Sequence, residues 1–230
     1  MDTPSEGANM ANRISVKLNG IEVCLHSDGT VEWPDRQTLF IADPHFGKEA
    51  TFRRHGIPVP MGSTQGTLQK IQHRVCETGV SRLVILGDMF HARSSLSRDV
   101  VESIERFFSA FTDLSTILVR GNHDAHVGQL PSSWPMEIVD PFERIDNLVM
   151  THHPEKVPDD ASVLLCGHVH PAVQAGDSIG KLPCFFYRDR MLMLPAIGQF
   201  TGTHVVKVNS GDRVWAVAEN EVFPVHSERR

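Results

Sequence analysis

The chain lacks closely spaced cysteines, long apolar runs and an aromatic-rich stretch. Its four cysteines (Cys24, Cys76, Cys166 and Cys184) lie far apart, which argues against a C-x-x-C zinc knuckle or redox motif. No apolar run approaches the roughly 20 residues of a membrane helix, so we expect no membrane partner. Tyr187 is the only tyrosine, which argues against a surface built for stacking nucleic-acid bases.

Positive charge is also scarce. The formal net charge is −6, and no basic run occurs. A protein that follows a phosphate backbone over a long footprint usually carries a basic face. Any contact with nucleic acid is therefore expected to be local. Bound divalent cations would make a site more positive than the whole-chain charge suggests.

Residues 1–12 are polar and lack the basic segment and apolar stretch of a secretory signal. We therefore predict a disordered tail over residues 1–12 and a cytoplasmic protein. The remaining residues, 13–230, suffice for one α/β domain and are short for two. The β-rich C-terminal third is a candidate dimer surface, so an oligomer is kept as an alternative to a monomer.

Apolar patterning predicts alternating strands and helices in the first two-thirds and mainly strands in the last third, which is an α/β fold. Helices are predicted over residues 61–78 and after Ser97, which can cap a helix. A short edge strand ended by a proline is predicted over residues 31–34. Five apolar runs are predicted to be buried strands: 38–41, 82–86, 115–119, 147–150 and 162–166.

Each of these five runs leads into a motif rich in histidine and aspartate. The motifs are Asp43-Pro44-His45, Gly87-Asp88-Met89-Phe90-His91, Gly121-Asn122-His123-Asp124, Thr151-His152-His153-Pro154 and Gly167-His168-Val169-His170. Strands deliver their last residues to one edge of a sheet, so we expect these side chains to meet. Buried carboxylates and imidazoles need partners, and a cation would be one.

The spacing within the motifs favours shared ligands. Asp43 and His45, like His168 and His170, project to the same side of an extended segment. Asp88 can bridge two cations. Taken singly, each motif is explained as well by a capping aspartate or an ordinary structural histidine. Their joint occurrence favours a metal site.

The remaining two motifs add an amide and further imidazoles. Asn122 offers a neutral oxygen ligand, and Asp124 can accept a hydrogen bond from a ring nitrogen of His123 and fix its tautomer. Either His152 or His153 supplies one more imidazole. Nitrogen and oxygen donors without thiolate suit manganese, iron or zinc. Two such ions, roughly 3.5–4 Å apart, would hold a bridging hydroxide and clamp a phosphoryl group, which predicts hydrolysis of a phosphate ester.

The motif order DxH, GDxxH, GNHD, HH-P and GHxH resembles the calcineurin-like metallophosphoesterase family. The resemblance implies a four-layer α/β/β/α sandwich with mixed sheets and with the site at the carboxyl ends of its strands. It also implies two divalent ions, manganese being favoured over iron or zinc. The ligands of one ion would be Asp43, His45, Asp88 and His170, and those of the other Asp88, Asn122, His152 and His168.

The same resemblance implies catalytic roles. His123 would contact the phosphate or protonate the leaving oxygen, and Asp124 would orient it. His91 is similar to a histidine that lies near substrate in the nuclease branch of the family. His152 is preferred over His153 because the family's ligand is usually the first residue of the H-x-P triplet.

A closer resemblance, to the bacterial ligase-associated DNA-damage-response endonucleases, extends over most of the chain. It includes residues 38–48, 54–58, 86–91 and 194–202. It implies a manganese-dependent phosphodiesterase that acts on DNA beside a repair ligase, an exonuclease and a helicase. The chain departs from that branch at Pro44 and Gly47, which are not ligand positions.

Three functions follow as hypotheses. A DNA nuclease or phosphodiesterase is supported by the GDMFH segment and by nearby cations, of which Lys48, Arg54 and Arg93 are the predicted substrate-binding residues; ordinary surface charge would explain them equally well. A phosphoesterase for a small molecule, such as a nucleotide or cyclic nucleotide, is the alternative on the same fold. A non-catalytic scaffold is disfavoured because no ligand position is missing.

Overall fold

The computed structural model describes residues 11–54, 56–59, 62–176 and 179–225, and the side chain of Arg54 lies outside this description. Most of the tail predicted over residues 1–12 lies outside the described residues. Of that segment, Ala11 pairs with Val222, and the carbonyl of Asn12 accepts a hydrogen bond from the amide of Ser27.

Two mixed β-sheets form the centre of the fold. The strands of the first sheet are paired in chain order: β1 (Arg13–Leu18), β2 (Ile21–His26), β3 (Val31–Trp33), β4 (Thr38–Ile41), β5 (Arg82–Ile85), β6 (Ser115–Val119) and β7 (Met136–Val139). The strands from β1 to β4 are antiparallel to their neighbours, and those from β4 to β7 are parallel. β3 lies between β2 and β4, so the prediction of an edge strand is wrong there. Its proline, Pro34, follows the last paired residue and begins a 3₁₀ turn, so no ladder hydrogen bond is lost.

The second sheet has nine strands. They are β8 (Glu143–Ile145), β9 (Leu148–Met150), β10 (Val163–Cys166), β11 (Pro171–Gln174), β12 (Lys181–Arg188), β13 (Met191–Met193), β14 (His204–Val205), β15 (Arg213–Ala218) and β16 (Glu221–Val225). Their order is β14-β11-β12-β13-β10-β9-β8, and the hairpin β15-β16 pairs with β12. β9, β10 and β13 are parallel neighbours at its centre.

Four helices are described: α1 (Lys48–Arg54), α2 (Ser63–Thr78), α3 (Arg98–Ala110) and α4 (Asp124–Val127). The helical spacing predicted for α2 buries Leu68, Ile71 and Val75, and Gly79 ends the helix in a left-handed conformation. α3 begins after Ser97, as the sequence predicts. No helix in the described ranges is long and apolar enough to cross a membrane.

Three apolar layers join these elements. Phe40 and Leu165 lie in the layer between the two sheets, whereas Leu39 and Ile41 point to the opposite face of β4 and pack with α2 and α3. Full burial of one such side chain contributes about 1.5–3 kcal/mol. The outer face of the second sheet packs against Val157, Ala161, Val206 and Val208, which lie in loops. The structure confirms the α/β metallophosphoesterase fold with mixed sheets, and in the described residues loops form the layer over the second sheet.

Candidate metal centre

The five motifs meet where the carboxyl ends of the two sheets adjoin. β4, β5 and β6 are parallel neighbours, and Asp43, Asp88 and Asn122 follow them. β9 and β10 are parallel neighbours of the second sheet, and His152 and His168 follow those. The parallel pairing in each sheet therefore directs all five motifs to one edge of the sandwich.

Five of the predicted ligands have left-handed backbones, with φ between 44° and 66°: Asp43, His45, Asp88, His168 and His170. Residues other than glycine adopt this conformation at a cost of about 1–3 kcal/mol each, and such strain concentrates at functional sites. In these three motifs the chain leaves its strand through a left-handed residue, which turns the ligand side chain toward the common centre.

Asp43 is completely buried and links the two sheets. Its Oδ2 accepts a hydrogen bond of 2.9 Å from the amide of His168. Its Oδ1 is also buried, and no donor among the described residues reaches it. Nε2 of His170 faces this oxygen at 3.5 Å. A buried carboxylate oxygen without a hydrogen bond is costly unless a cation occupies the space beside it.

Asp88 lies at the centre of the cluster. Its Oδ1 accepts a hydrogen bond of 2.9 Å from the amide of His123, and its Oδ2 lies 3.4 Å from Nε2 of His152. Burial would raise the pKa of Asp88, but the hydrogen bond and charge of His152 and the amide of His123 outweigh it and lower the pKa to about 2. Asp88 is therefore a carboxylate at all ordinary pH values.

Backbone carbonyls orient two of the imidazoles. Nδ1–H of His152 donates to the carbonyl of Leu86 at 2.9 Å, and Nδ1–H of His170 donates to the carbonyl of Gly202 at 2.9 Å. In both rings Nε2 is thereby turned toward the carboxylates. Such outer hydrogen bonds fix the tautomer of a metal-ligating histidine.

The atoms around Nε2 of His152 are mostly acceptors. Oδ1 of Asn122 lies at 3.0 Å and Nδ1 of His168 at 3.2 Å. Burial would lower the pKa of His152, and likewise that of His170, but contacts with Asp88 and Asp43 raise both. The carboxylates therefore favour the protonated form of both rings in the metal-free protein. A divalent cation fits beside Nε2 of His152, because it would satisfy several acceptors at once.

Among the described residues, three groups of side chains have ligand atoms that lie within 4.8 Å of one another. They are Asp43, His45 and His170; Asp43, Asp88 and His152; and His152, His153 and His168. Burial lowers the pKa of His45 to about 3 and also lowers that of His168, so both rings are neutral and ready to bind a cation. Residues of both predicted ligand sets are thus brought together: the first two groups share Asp43, the last two share His152, and Asp88 belongs to the middle group. The donor set fits hard or borderline divalent ions.

His153 also lies at the site, as the alternative to His152. Its ring centroid is 4.2 Å from that of His168. His152 is fully buried and contacts Asn122 and Asp88, whereas His153 is partly exposed. These contacts support the choice of His152 as the ligand.

His123 lies at the exposed side of the cluster. Its Nδ1–H donates to the carbonyl of His91 at 2.8 Å, and its Nε2 lies 3.9 Å from Oδ2 of Asp88. The ring of His91 packs beside it, with 4.7 Å between the ring centroids. Nε2 of His123 is therefore the atom available to a bound phosphate.

The predicted contact between Asp124 and the ring of His123 is wrong. Asp124 instead accepts hydrogen bonds from the amides of Gly121, at 2.9 Å, and Phe90, at 3.4 Å. Phe90 lies in the loop after β5 and Gly121 in the loop after β6, and the carboxylate satisfies both of their amides. Asp124 thus holds two motif loops together, and the carbonyl of His91 orients His123.

The predicted substrate-binding cations differ in position. Lys48 begins α1 and is half-buried. After burial, its charge is the next largest cause that lowers the pKa of His45 and His91. The pKa of Lys48 itself is lowered, because burial outweighs the opposite effect of Asp43 and Asp88. Arg93 is exposed on the 3₁₀ turn after His91. The side chain of Arg54 lies outside the described residues. Of the two whose side chains are described, Lys48 is the one that interacts with the metal centre.

The orienting carbonyls of Leu86, His91 and Gly202 were not identified from the sequence. A carbonyl has no side-chain signature, so residue types do not reveal it. The segment containing Gly202 did stand out in the closer resemblance. In the structure it lies along the site, where Ile197 and Gly198 donate to the carbonyls of Ala42 and Asp43.

Gly87→Ala is expected to weaken metal binding strongly. A Cβ at Gly87 would overlap the ring of His152, and overpacking of this kind costs about 1–3 kcal/mol. The matched control is Gly211→Ala, because Gly211 has a similar φ of 95° but no atom within 4 Å of its Cβ. Manganese content and melting temperature are the measurements. Equal manganese binding by the two variants would show that the overlap of a Cβ with His152 does not disturb the metal centre, and that the effect of Gly87→Ala is backbone strain alone.

Metal affinity is expected to fall as the pH drops through the raised pKa values of His152 and His170, which lie above the ordinary 6.5. A cation can bind Nε2 only after the proton leaves, so each of these rings costs about tenfold in affinity per pH unit. His45 and His168, whose pKa values are lowered, contribute no such proton. Calorimetric titration with manganese in two buffers of different ionisation enthalpy counts the protons. Binding without proton release would contradict the assignment of these rings.

Comparisons with known proteins agree with this geometry. The sequence profile of the family "Calcineurin-like phosphoesterase" matches residues 37–157. A solved structure of Pseudomonas putida nuclease MPE is 30% identical, with a TM-score of 0.81, and the match covers 93% of this chain and 100% of that chain. No curated protein matches the chain.

Two further solved structures match at lower similarity. The phosphoesterase Yfce from E. coli is 20% identical with a TM-score of 0.42, over 79% of this chain and 87% of that one. A protein of unknown function from Aquifex aeolicus is 22% identical with a TM-score of 0.40, over 62% and 81%. The family profile covers more than half of the chain, and the nuclease is similar over its whole length. The chain is therefore a metal-dependent phosphoesterase that belongs to the calcineurin-like phosphoesterase family.

Proposed function

We propose that the chain hydrolyses phosphodiester bonds of DNA with two divalent cations, manganese being favoured over iron or zinc. The observation that carries the substrate class is the 30% identity to a nuclease over that protein's whole length. The resemblance of the motifs to ligase-associated DNA-damage-response endonucleases supports DNA as the polymer. By the same resemblance, we propose a role in DNA repair in the cytoplasm, beside a repair ligase, an exonuclease and a helicase.

Two overlapping ligand sets would hold the ions. Asp43, His45, Asp88 and His170 would hold one, and Asp88, Asn122, His152 and His168 the other. When bound, two such ions neutralise phosphate charge and lower the pKa of a water molecule. The unpaired Oδ1 of Asp43 and the acceptors around Nε2 of His152 support this assignment.

The remaining chemistry belongs to the chain's own side chains. Water adds to phosphorus, the P–O ester bond breaks, and the leaving oxygen takes a proton. Nε2 of His123 is positioned to give that proton, since its Nδ1–H is held by the carbonyl of His91. Lys48 adds positive charge beside the reacting phosphate, and His91 packs behind His123. We assign Arg54 and Arg93 to the flanking DNA backbone.

The metal-free protein, supplied with manganese, provides the test. It would be incubated with bis(p-nitrophenyl) phosphate, p-nitrophenyl phosphate, single-stranded DNA and nicked DNA, with His123→Ala as the control. The expected result is cleavage of the diester and of DNA by the wild-type protein, with the cleavage of DNA lost in the variant. Turnover of the monoester alone would instead assign the chain to small-molecule phosphatases. Absence of all turnover by the metal-loaded protein would favour the scaffold.

A further inference from the structure

A cavity of about 280 Å³ opens beside the metal centre, on the side of His170. We call it the flanking pocket and define it by His170, Pro195, Phe200, Thr201, Thr203 and Lys70. The loop over residues 195–203 forms both its wall and part of the metal centre. Hydrogen bonds from Ile197 and Gly198 to the carbonyls of Ala42 and Asp43 fix that loop. The pocket therefore adjoins the metal centre and shares His170 with it.

The walls of the flanking pocket combine flat apolar surface with a few hydroxyl groups. Pro171, Pro183 and Pro195 supply rigid apolar surface. Thr203 supplies a hydroxyl, and the hydroxyl of Thr201, which donates to the carbonyl of Gly198 at 3.1 Å, can still accept a hydrogen bond. Small-molecule sites typically have this composition, with mainly apolar walls and a few polar groups that fix orientation. A planar heterocycle fits such a lining better than a sugar or a phosphate would.

Phe200 is unusual among the pocket residues. Its side chain is large and apolar, yet the residue is 42% exposed. Its φ of 58° is strained for a residue with a side chain. Its ring makes no aromatic contact with any other described side chain. A free aromatic face at the mouth of a pocket is a platform on which a nucleobase can stack.

The charge of the flanking pocket favours an anion at its rim. Lys70 is exposed on α2 and forms no ion pair within the described ranges. The acid that lines the pocket, Asp28, is already bound by the guanidinium of Arg74 at 2.9 Å and by the amide and hydroxyl of Thr30. Lys70 is therefore the charge that remains available to a ligand.

We propose that the flanking pocket binds the nucleoside next to the scissile phosphate, with its base stacked on Phe200 and the following phosphate near Lys70. This inference rests on the proposed phosphodiesterase activity and specifies its substrate. A base enters such a pocket only after leaving the duplex stack, which costs a few kcal/mol unless the strand is already unpaired. The preferred substrate is therefore an unpaired strand, at a gap, a frayed end or a flap.

Paired chromogenic substrates test the pocket. Thymidine 5′-(p-nitrophenyl phosphate), its 3′ isomer and methyl p-nitrophenyl phosphate share one leaving group and differ in the nucleoside. The wild-type protein with manganese is expected to prefer one thymidine ester over the methyl ester in kcat/KM. Phe200→Ala should lower that preference by about 5- to 100-fold, the range expected for the loss of one base–aromatic stack. Phe200→Trp should retain it.

Phe142→Ala is the matched control. Phe142 is 47% exposed with a φ of 73°, so it shares both features of Phe200, but it lies before β8 and outside the pocket. The wild-type protein could hydrolyse the thymidine and methyl esters at equal kcat/KM, or Phe200→Ala could retain the full preference. Either result would refute nucleoside binding in the flanking pocket without contradicting the proposed phosphodiesterase activity. If no ester were hydrolysed, the proposed function would fail. Binding of thymidine 5′-monophosphate, read from quenching of tryptophan fluorescence in Phe200→Trp against Phe142→Trp, would then decide the pocket alone.

Lys70 gives an independent readout. The substrate for this test is a thymidine dinucleotide with a second phosphate after the scissile one. With it, Lys70→Gln should have a higher KM than the wild-type protein, and the slope of log affinity against log salt concentration should be smaller by about one. The same variant should not change the salt dependence for the mononucleotide ester. An unchanged slope with the dinucleotide would remove Lys70 from the proposal.

Discussion

Asp88→Asn is expected to abolish metal binding and phosphodiester hydrolysis together while leaving the fold intact. The amide oxygen of the new side chain can still accept the hydrogen bond from the amide of His123 that Oδ1 accepts at 2.9 Å. The NH₂ group would replace Oδ2, which faces Nε2 of His152 at 3.4 Å. It would bring donor hydrogens and remove a negative charge where both ligand sets meet. The loss in metal affinity should exceed the roughly 10- to 100-fold cost of removing an outer partner of a ligand.

Asp140→Asn is the matched control for this variant. It makes the same change of charge at a side chain that is 87% exposed and 3.5 Å from Arg120. Metal content by elemental analysis, melting temperature and hydrolysis of bis(p-nitrophenyl) phosphate are the measurements. Full metal content and activity in Asp88→Asn would show that the two ligand sets do not share this residue.

His123→Ala is expected to retain metal and to lose most turnover on DNA, by a factor of about 10²–10⁴ in kcat. The ring contributes no atom to the three groups of converging ligands, so its removal leaves them complete. What disappears is a proton donor at Nε2, held in orientation by the carbonyl of His91. DNA has a poor, alkoxide leaving group and needs that proton, whereas p-nitrophenolate does not. The loss should therefore be much smaller for bis(p-nitrophenyl) phosphate.

The leaving-group comparison separates two roles of His123. An equal loss on both substrates would mean that the ring binds the phosphate without donating a proton. His73→Ala, a change at an exposed histidine of α2, controls for the substitution itself. If His123→Ala also lost its metal, the claim that His123 donates a proton without being a metal ligand would be refuted.

The parts of the fold that could be predicted are those with a buried apolar pattern. β4 and β6 have the bounds expected from their apolar runs, and α2 and α3 follow their helical spacing. The position of the motifs at strand ends was predictable for the same reason. The joint occurrence of the motifs suggested their convergence, which no single motif could have established.

The elements that escaped prediction lack such a pattern. β7 (Met136–Val139) and β8 (Glu143–Ile145) are short and have no fully buried residue, so no long apolar run marks them. α1 is short and largely charged. β16 contains Pro224, which is unusual in a strand. Its one strand partner in the described sheet is β15, and apart from a single bridge between Val222 and Ala11 its other side is an edge.

Contacts within the site were harder to predict than its composition. Asp124 is next to His123 in sequence, yet its carboxylate turns to the amides of Gly121 and Phe90. Which acceptor orients an imidazole depends on the path of the backbone after each strand. That path is set by the turns of Gly87 and Gly167, where any side chain would overlap His152 or Asp43.

The left-handed backbone limits which residues homologous sequences can carry at five positions: Asp43, His45, Asp88, His168 and His170. Among ordinary residues, glycine and asparagine adopt this conformation at least cost, and β-branched residues at the greatest. Aspartate and histidine also tolerate this conformation, but metal binding is what requires a carboxylate or an imidazole at these positions. A descendant that abandoned the chemistry and kept the fold would be released from that constraint. Its sequence should drift toward glycine and asparagine at these five positions, and seldom toward valine, isoleucine or threonine. That pattern of substitutions would identify a homologue that has lost its catalytic activity before any assay.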